Sequence, residues 1–470
     1  MSETITAVST APGEAGIGIV RTSGPASLEI MKKLMARVPD KIEPRHAYLS
    51  RVVYDSADPG SDVIDQALFI YMKAPNSYTG EDILEIQAHG SNVALKNILR
   101  AVLDSGAEGV RMAEPGEFTR LAFLNGKMDL SQAEAVIDII EAKTDLSLGI
   151  AESQREGRLG ESVRAIRDDL LDVLSEMAVS IDYPDEDEEN TGDNSGSELA
   201  GRLRWVQSDI DDLLDTVKIG RIAREGVRAV IIGKPNAGKS SLMNAILGEG
   251  RVIVTDIPGT TRDTVEESVS LGGIPIVLVD TAGLRDTDDK VEKIGIERTE
   301  RAIASADLVI LVLDGSKALD EQDDKVLAYL EHMSSDNLMV IIDKDDLGAE
   351  ISEEKVRELF PEAVIIHTSL VGSGASEAAR RISEEVGRMH GLMDLNVKEM
   401  TIVTNERHAG LLRRASENIS EAIDMLMNDE PMEVAELSAH YAYDDLGRII
   451  GEEAGEEVIN NVFSRFCLGK

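Results

Sequence analysis

Val227-Arg-Ala-Val-Ile-Ile-Gly233-Lys-Pro-Asn-Ala-Gly238-Lys239-Ser240-Ser241-Leu-Met-Asn-Ala-Ile-Leu247 decides the fold of the middle of this chain. An apolar run, the pattern G-x-x-x-x-G-K-S and an apolar helical stretch predict strand, phosphate loop and helix. Glycines let backbone N–H groups approach phosphate oxygens, and the N-terminus of the following helix adds positive dipole. Lys239 is predicted to reach the β- and γ-phosphates and the Ser240 hydroxyl to ligate Mg²⁺. Asn236, Ala237, Gly238 and Ser241 complete the loop around the nucleotide.

Companions follow in chain order. Thr255, Asp256, Ile257, Pro258, Gly259, Thr260 and Thr261 lie where a switch loop must cross the nucleotide. Asp280, Thr281, Ala282 and Gly283 end the next buried run, where a carboxylate can hold Mg²⁺ through water and a glycine N–H can meet the γ-phosphate. Asp343, Lys344 and Asp346 end a later strand, where guanine sits, and Ser369 follows the next run. This order predicts a guanine-nucleotide domain that binds GTP and GDP. Many GTPases carry Gln directly after D-x-x-G to orient the attacking water. Leu284 stands there, so another group must hold that water.

Outward from this loop the texture changes twice. Short Val/Ile/Leu runs (229–233, 276–280, 308–314, 338–343, 364–367) alternate with helical stretches, which predicts a parallel sheet covered on both faces. On either side the pattern is helical. Leu199, Leu203, Val206, Ile210, Leu213 and Val217 step by four and three, as do Leu411, Ala415, Ile419, Ala422 and Leu426. Residues 182–201 contain no Lys or Arg and many acids, and read as a solvated connection. Residues 1–120 mix β-like runs (17–21, 66–71, 83–87) with one helical stretch, 93–103, as in a small α+β domain. The expected organisation is an α+β domain over 1–120, a discontinuous all-α domain over 121–225 and 385–470, and an inserted α/β P-loop domain over 226–384, which the family resemblance given below implies is Ras-like.

At about 150 residues per domain, 470 residues suggest three domains. Apolar residues are 42% and charged residues 29%, which excludes global disorder. Forty-eight basic against 88 acidic residues give a net charge of −40, so bulk charge will not hold nucleic acid. Aromatics are 3%, too few for a base-stacking platform. The single cysteine, Cys467, forms no intrachain disulfide, and a reducing cytoplasm suits it. It reads as a small buried hydrophobe, and His89 reads as structural. No signal peptide or membrane span is expected.

Several strings outside the nucleotide motifs carry a resemblance: STAPGEAGIGIVRTSG (9–24), PNSYTGEDILEIQAHG (75–90), PGEFTRLAFLNGKMDLSQAEAVIDII (115–140) and the terminal FSRFCLGK (463–470). With TDIPGTTRD (255–263) and DTAGLRDTDDKVEKIGIERT (280–299), they resemble the MnmE (TrmE) family of tRNA-modification GTPases, within the TrmE-Era-EngA-like class.

The resemblance implies an N-terminal folate-binding domain that makes a homodimer. It also implies an MnmG-like partner that carries FAD, in a heterotetramer. GTP hydrolysis with Mg²⁺ and K⁺ then serves modification of carbon five of the wobble uridine of certain tRNAs. The one-carbon unit comes from a 5-formyl- or methylene-tetrahydrofolate. By matched motif, K⁺ falls to Asn236, Thr255, Ile257 and Thr260, Mg²⁺ to Ser240 and Thr261, and water orientation to Glu292. Folate contacts fall to Arg21, Glu85, Lys127 and Lys470. The family usually has Asn at Asp343, Ser-Ala at Ser369-Leu370, and FCIGK at the terminus. A GTP-dependent assembly or signalling switch would share the P-loop features without needing folate ligands; the N-terminal strings and Lys470 favour the modifying enzyme.

Overall fold

The computed structural model describes residues 3–182, 195–252, 266–279, 300–330, 335–348, 350–393, 395–397, 400–428 and 430–470. The chain divides into two compact units, 1–137 with 155–171 and 440–470, and 138–154 with 172–439.

The first unit holds a six-stranded sheet of β1 (Thr4–Val8), β2 (Ala15–Ser23), β3 (Ala47–Val53), β4 (Val63–Met72), β5 (Ile83–Gly90) and β6 (Val110–Met112), in the order β3-β4-β5-β2-β1-β6. All pairs are antiparallel except β1 with β6. Strand alternation sends Val20, Ala67, Phe69, Ile86 and Ala88 to one face, where helices Ser27–Leu34 and Asn92–Leu103 cover them. The opposite face presents Leu49, Leu68, Gln87 and Ile19 in register across four strands. Leu49 is 66% exposed.

The sequence suggested one helix among these strands. The structure adds helices Ser27–Leu34 and Glu117–Leu124. Eight residues give little more than two turns of periodicity, too few to rise above neighbouring β-like runs. Later in this unit Leu130, Ala133 and Val136 pack on Phe463 and Phe466, which fixes the end of the chain.

In the second unit a seven-stranded sheet comprises β7 (Val227–Ile232), β8 (Arg251–Val252), β9 (Glu266–Leu271), β10 (Ile274–Val279), β11 (Leu308–Asp314), β12 (Leu338–Asp343) and β13 (Val364–His367). The order is β13-β12-β11-β7-β10-β9-β8. The five strands β13 to β10 are parallel, but β9 and β8 pair antiparallel, so the expected all-parallel sheet is a mixed one. The cause is local. Gly272 and Gly273, at φ 59° and 85°, make a two-residue turn between β9 and β10, and only antiparallel strands can be joined so tightly.

Helices cover both sheet faces. Leu242 and Ile246 of helix Lys239–Glu249 join Ala378, Ile382 and Val386 of helix Ser373–Met389 on one side. Val356 of helix Glu353–Leu359 packs on the other.

The helical part of this unit pairs Ser195–Asp215 with Glu406–Met427, and the two apolar stripes from Leu199 to Leu213 and from Leu411 to Leu426 are buried. Leu199 and Ala200 are therefore core, not part of the solvated acidic connection expected over 182–201. The chain runs from helix Val217–Glu225 directly into β7. It returns beside the start of that helix, where Val403 N donates to Thr216 Oγ1 at 3.0 Å. Gln154 Nε2 donates to Ile402 O at 2.9 Å. The two ends of the α/β insertion are thus held together.

Candidate functional site

The phosphate loop leaves the carboxyl end of β7, a strand with five of six residues buried. Gly238 starts helix Lys239–Glu249 at φ 113°, and a Cβ there would lie 2.4 Å from Asp343 Oδ2. Only glycine satisfies both the left-handed backbone and that close approach. Asn236 also holds a left-handed φ of 63°, a conformation Asn tolerates better than most residues.

Lys239 Nζ donates to Gly233 O at 2.6 Å and to Lys234 O at 2.9 Å, across the mouth of its own loop. Burial pushes its ammonium below the ordinary lysine value. Ser240 stands exposed in the first helical turn.

Neighbouring strand ends supply the rest. Lys344, at φ 65°, donates through Nζ to Asp314 Oδ2 at 2.6 Å and to Asn236 O at 3.2 Å, joining the ends of β11 and β12 to the phosphate loop. Burial alone would raise Asp314, but hydrogen bonds from Lys344 and Ser316 and the Lys344 charge hold its carboxyl down at about 2. Asp343 is buried, and its Oδ1 accepts from Leu370 N at 2.9 Å. Asp345 N donates to Thr368 O at 3.2 Å, so the loops that follow β12 and β13 are laced together. Asp346 is exposed and Ser369 half-buried beside them.

Thr255, Asp256, Ile257, Pro258, Gly259, Thr260, Thr261, Asp280, Thr281, Ala282, Gly283, Leu284 and Glu292 lie outside the described residues.

A second group of the sequence-predicted residues meets in the first unit. Arg21 and Glu85 are direct partners across β2 and β5. Arg21 Nε donates to Glu85 Oε1 at 3.0 Å, with a terminal guanidinium nitrogen 2.8 Å from the same oxygen. The Arg21 guanidinium lies 5.9 Å from the ring centroids of both Tyr78 and Phe118. The chain terminus reaches this pair, with Arg21 donating to Gly469 O at 3.5 Å. Burial first, and then the Arg21 charge, push the Lys470 ammonium down against the pull of Glu85. Lys127 is exposed and donates to Pro75 O at 3.1 Å, at the other end of the loop that carries Tyr78.

Cys467 is exposed, contrary to the expected burial. Phe463 and Phe466 take the inward positions of this terminal turn and leave it outside. His89 Nδ1–H donates to Asp65 Oδ1 at 2.8 Å on an exposed surface, a structural contact.

Residues 130–467 match the family model described as the MnmE helical domain, and residues 4–127 match that of the GTP-binding protein TrmE N-terminus. The chain belongs to the MnmE family of tRNA modification GTPases. The tRNA modification GTPase MnmE of Clostridioides difficile is 43% identical over 472 residues, covering 100% of both chains. That of Bacillus subtilis is 40% identical over 472 residues, again with 100% of both covered. Among solved structures, the G domain of the T. maritima FeoB iron transporter is 29% identical over 34% of this chain and 98% of that one, with a TM-score of 0.25.

As an MnmE-family member the chain is a GTP hydrolase, with an N-terminal α+β domain, a discontinuous helical domain and a P-loop α/β domain. No helix among the described residues is long and apolar enough to cross a membrane.

Sequence reasoning missed one ion-paired residue of the phosphate loop in this MnmE-family chain. Lys234 lies inside the G-x-x-x-x-G-K pattern at a position the pattern leaves free, and its ammonium is buried between Asp320 and Asp323. Burial works to lower it, but hydrogen bonds and charges from both aspartates outweigh that and hold it above the ordinary lysine value. The available signal was Asp320-x-x-Asp323 ahead of a helical run, a capping-box spacing.

Proposed function

We propose that this chain is a K⁺-dependent GTPase that works with an MnmG-like, FAD-carrying partner in a heterotetramer. Together they modify carbon five of the wobble uridine of certain tRNAs, adding an aminomethyl or carboxymethylaminomethyl group. The one-carbon unit comes from 5-formyl- or methylene-tetrahydrofolate. The observation that carries this reading is the meeting of Arg21, Glu85 and the terminal Lys470, which a GTP-driven switch alone would not need.

The donor set suits a folate. Arg21 and Lys470 are cations for carboxylates, Lys127 offers a third at the far end of the same loop, and Glu85 Oε2, which accepts from Gln87 Nε2 at 3.3 Å, is an acceptor for a pterin donor edge. The Leu49–Leu68–Gln87–Ile19 face of the sheet is apolar enough to be covered by a second copy. The test of the whole reading is mass analysis of wobble nucleosides from cells that lack this protein. Loss of the carbon-five group is expected, and unchanged nucleosides would refute the assignment.

Deleting Lys470 is expected to weaken 5-formyl-tetrahydrofolate binding about tenfold, near the lower end for a charge-assisted contact, because the ammonium is only half-buried. Calorimetric titration checks this. The melting temperature should be unchanged, since the aromatic anchors Phe463 and Phe466 remain.

The exposed Ser240 hydroxyl fits a hard cation and would hold Mg²⁺ together with Thr261. Mg²⁺ and K⁺ would supply positive charge against the phosphates. Asn236, exposed at the loop mouth, would share K⁺ with Thr255, Ile257 and Thr260. Hydrolysis is expected to run about tenfold or more faster in K⁺ than in Na⁺ at matched ionic strength, because a cation opposite the transition state acts as a preorganised charge. Equal rates in the two salts would remove K⁺ from the mechanism.

A further inference from the structure

Lys234 combines three observations. Its Nζ lies 2.8 Å from Asp320 Oδ2 and 2.6 Å from Asp323 Oδ2, with 8% of its side chain exposed. Lysine is almost never buried unless paired, so the position is tightly specified. The two aspartates also form the capping box of helix Glu321–Ala328. Asp320 Oδ1 accepts from Gln322 N and Asp323 N, and Asp323 Oδ2 accepts from Asp320 N. The ammonium is therefore clamped to the rigid start of a helix. Finally, the Lys234 carbonyl is one of the two that hold Lys239 Nζ.

One cation and two carboxylates sum to a charge of −1. Such a trio does not attract phosphate, so its value to a phosphate loop must lie in geometry. We propose that Lys234 is a positioning residue for GTP turnover: its clamp on Asp320 and Asp323 fixes the first turn of the phosphate loop where Lys239 and the loop N–H groups meet the β- and γ-phosphates. Lys239 has three N–H donors, so it can keep the two carbonyls and still reach a phosphate, but that tie lies within the loop and fixes it to no other element. The Lys234 clamp anchors the start of the loop to a neighbouring helix, as Lys344 anchors its middle at Asn236 O. Because the clamp ends on helix Glu321–Ala328, that helix and the phosphate loop move as one body.

The test uses the full-length chain with GTP and GDP. Lys234→Met is expected to weaken GDP binding and raise KM for GTP by about tenfold or more, with kcat at saturation within about threefold of wild type. Lys234→Arg, which keeps the ion pairs, is expected to stay within about threefold on both. Lys234→Met leaves Asp323 buried without a counter-charge and will lose stability for that reason alone. The double variant Lys234→Met/Asp323→Leu removes the orphaned charge and is expected to regain melting temperature while nucleotide binding stays about tenfold weak. Wild-type GDP affinity in that double variant would overturn the proposal, because Lys234 would then do no more than neutralise buried acids. Wild-type affinity in Lys234→Met would overturn it equally.

Discussion

Asp343→Asn is expected to tighten GDP binding about five- to 150-fold at neutral pH, equivalent to about 1–3 kcal/mol for repairing a mismatched polar contact. The motif order places the strand-end position before Lys344 on the expected guanine side, where N7 and O6 would accept hydrogen bonds. A carboxylate can only accept there, whereas an amide can also donate. Asp343 spends Oδ1 on Leu370 N and turns Oδ2 against Gly238, at the start of the phosphate-binding helix. Its negative charge therefore sits beside the place where nucleotide phosphates bind, in a buried setting that screens it poorly. Asn keeps the Leu370 contact through its carbonyl oxygen, removes the charge and offers an N–H. Fluorescent-GDP titration of the two proteins is the measurement. Unchanged or weaker binding of the Asn variant would mean that the base is read without position 343.

Glu292→Ala is expected to lower kcat by about 10²-fold or more while GDP affinity changes little. Leu284 follows the D-x-x-G string and cannot hydrogen-bond to water, so the attacking water needs an acceptor from elsewhere. The family resemblance points to Glu292, whose carboxylate could accept from a bridging water. An interaction made only in the transition state leaves nucleotide binding alone, and that split separates catalysis from folding. Single-turnover hydrolysis with GTP in K⁺ buffer, set beside GDP titration, gives both numbers. A fall in kcat of less than threefold would assign the water to another group.

Much of the nucleotide domain was legible in the sequence. Buried parallel strands are continuous Val/Ile/Leu runs, and β11, β12 and β13 have the bounds the sequence suggested. The edge was less legible. β9 reads Glu-Glu-Ser-Val-Ser-Leu, a half-polar strand whose direction is set by the Gly272–Gly273 turn rather than by apolar content. In the first unit, β1 passes as a short mixed segment because Thr4 and Thr6 stand at buried positions, and β3 because its first three residues are exposed or half-buried. Their pairing is decided by partners distant in the chain.

Lys239 was singled out in the sequence by its motif. Lys234 was not, because nothing local tells a buried lysine from a surface one. Its burial depends on Asp320 and Asp323, 86 and 89 residues away. Cys467 shows the reverse, since a residue type that is usually buried stands outside because two aromatic neighbours claim the inner positions.

The packing of the terminus against Arg21 also imposes an order in time. The first sheet is complete once Met112 has been made, yet the Arg21–Glu85 pair gains its neighbour Lys470 only after residues 113–470 have followed. At about 5–20 residues per second, translation of this chain leaves that corner of the sheet open for roughly a quarter of a minute to a little over a minute. A chain cut back behind the nucleotide domain keeps the residues of the first sheet and of the phosphate loop but lacks Gly469 and Lys470 at the Arg21 corner. Any peptide tag fused after Lys470 would meet the same corner, whereas one fused ahead of Thr4 would not.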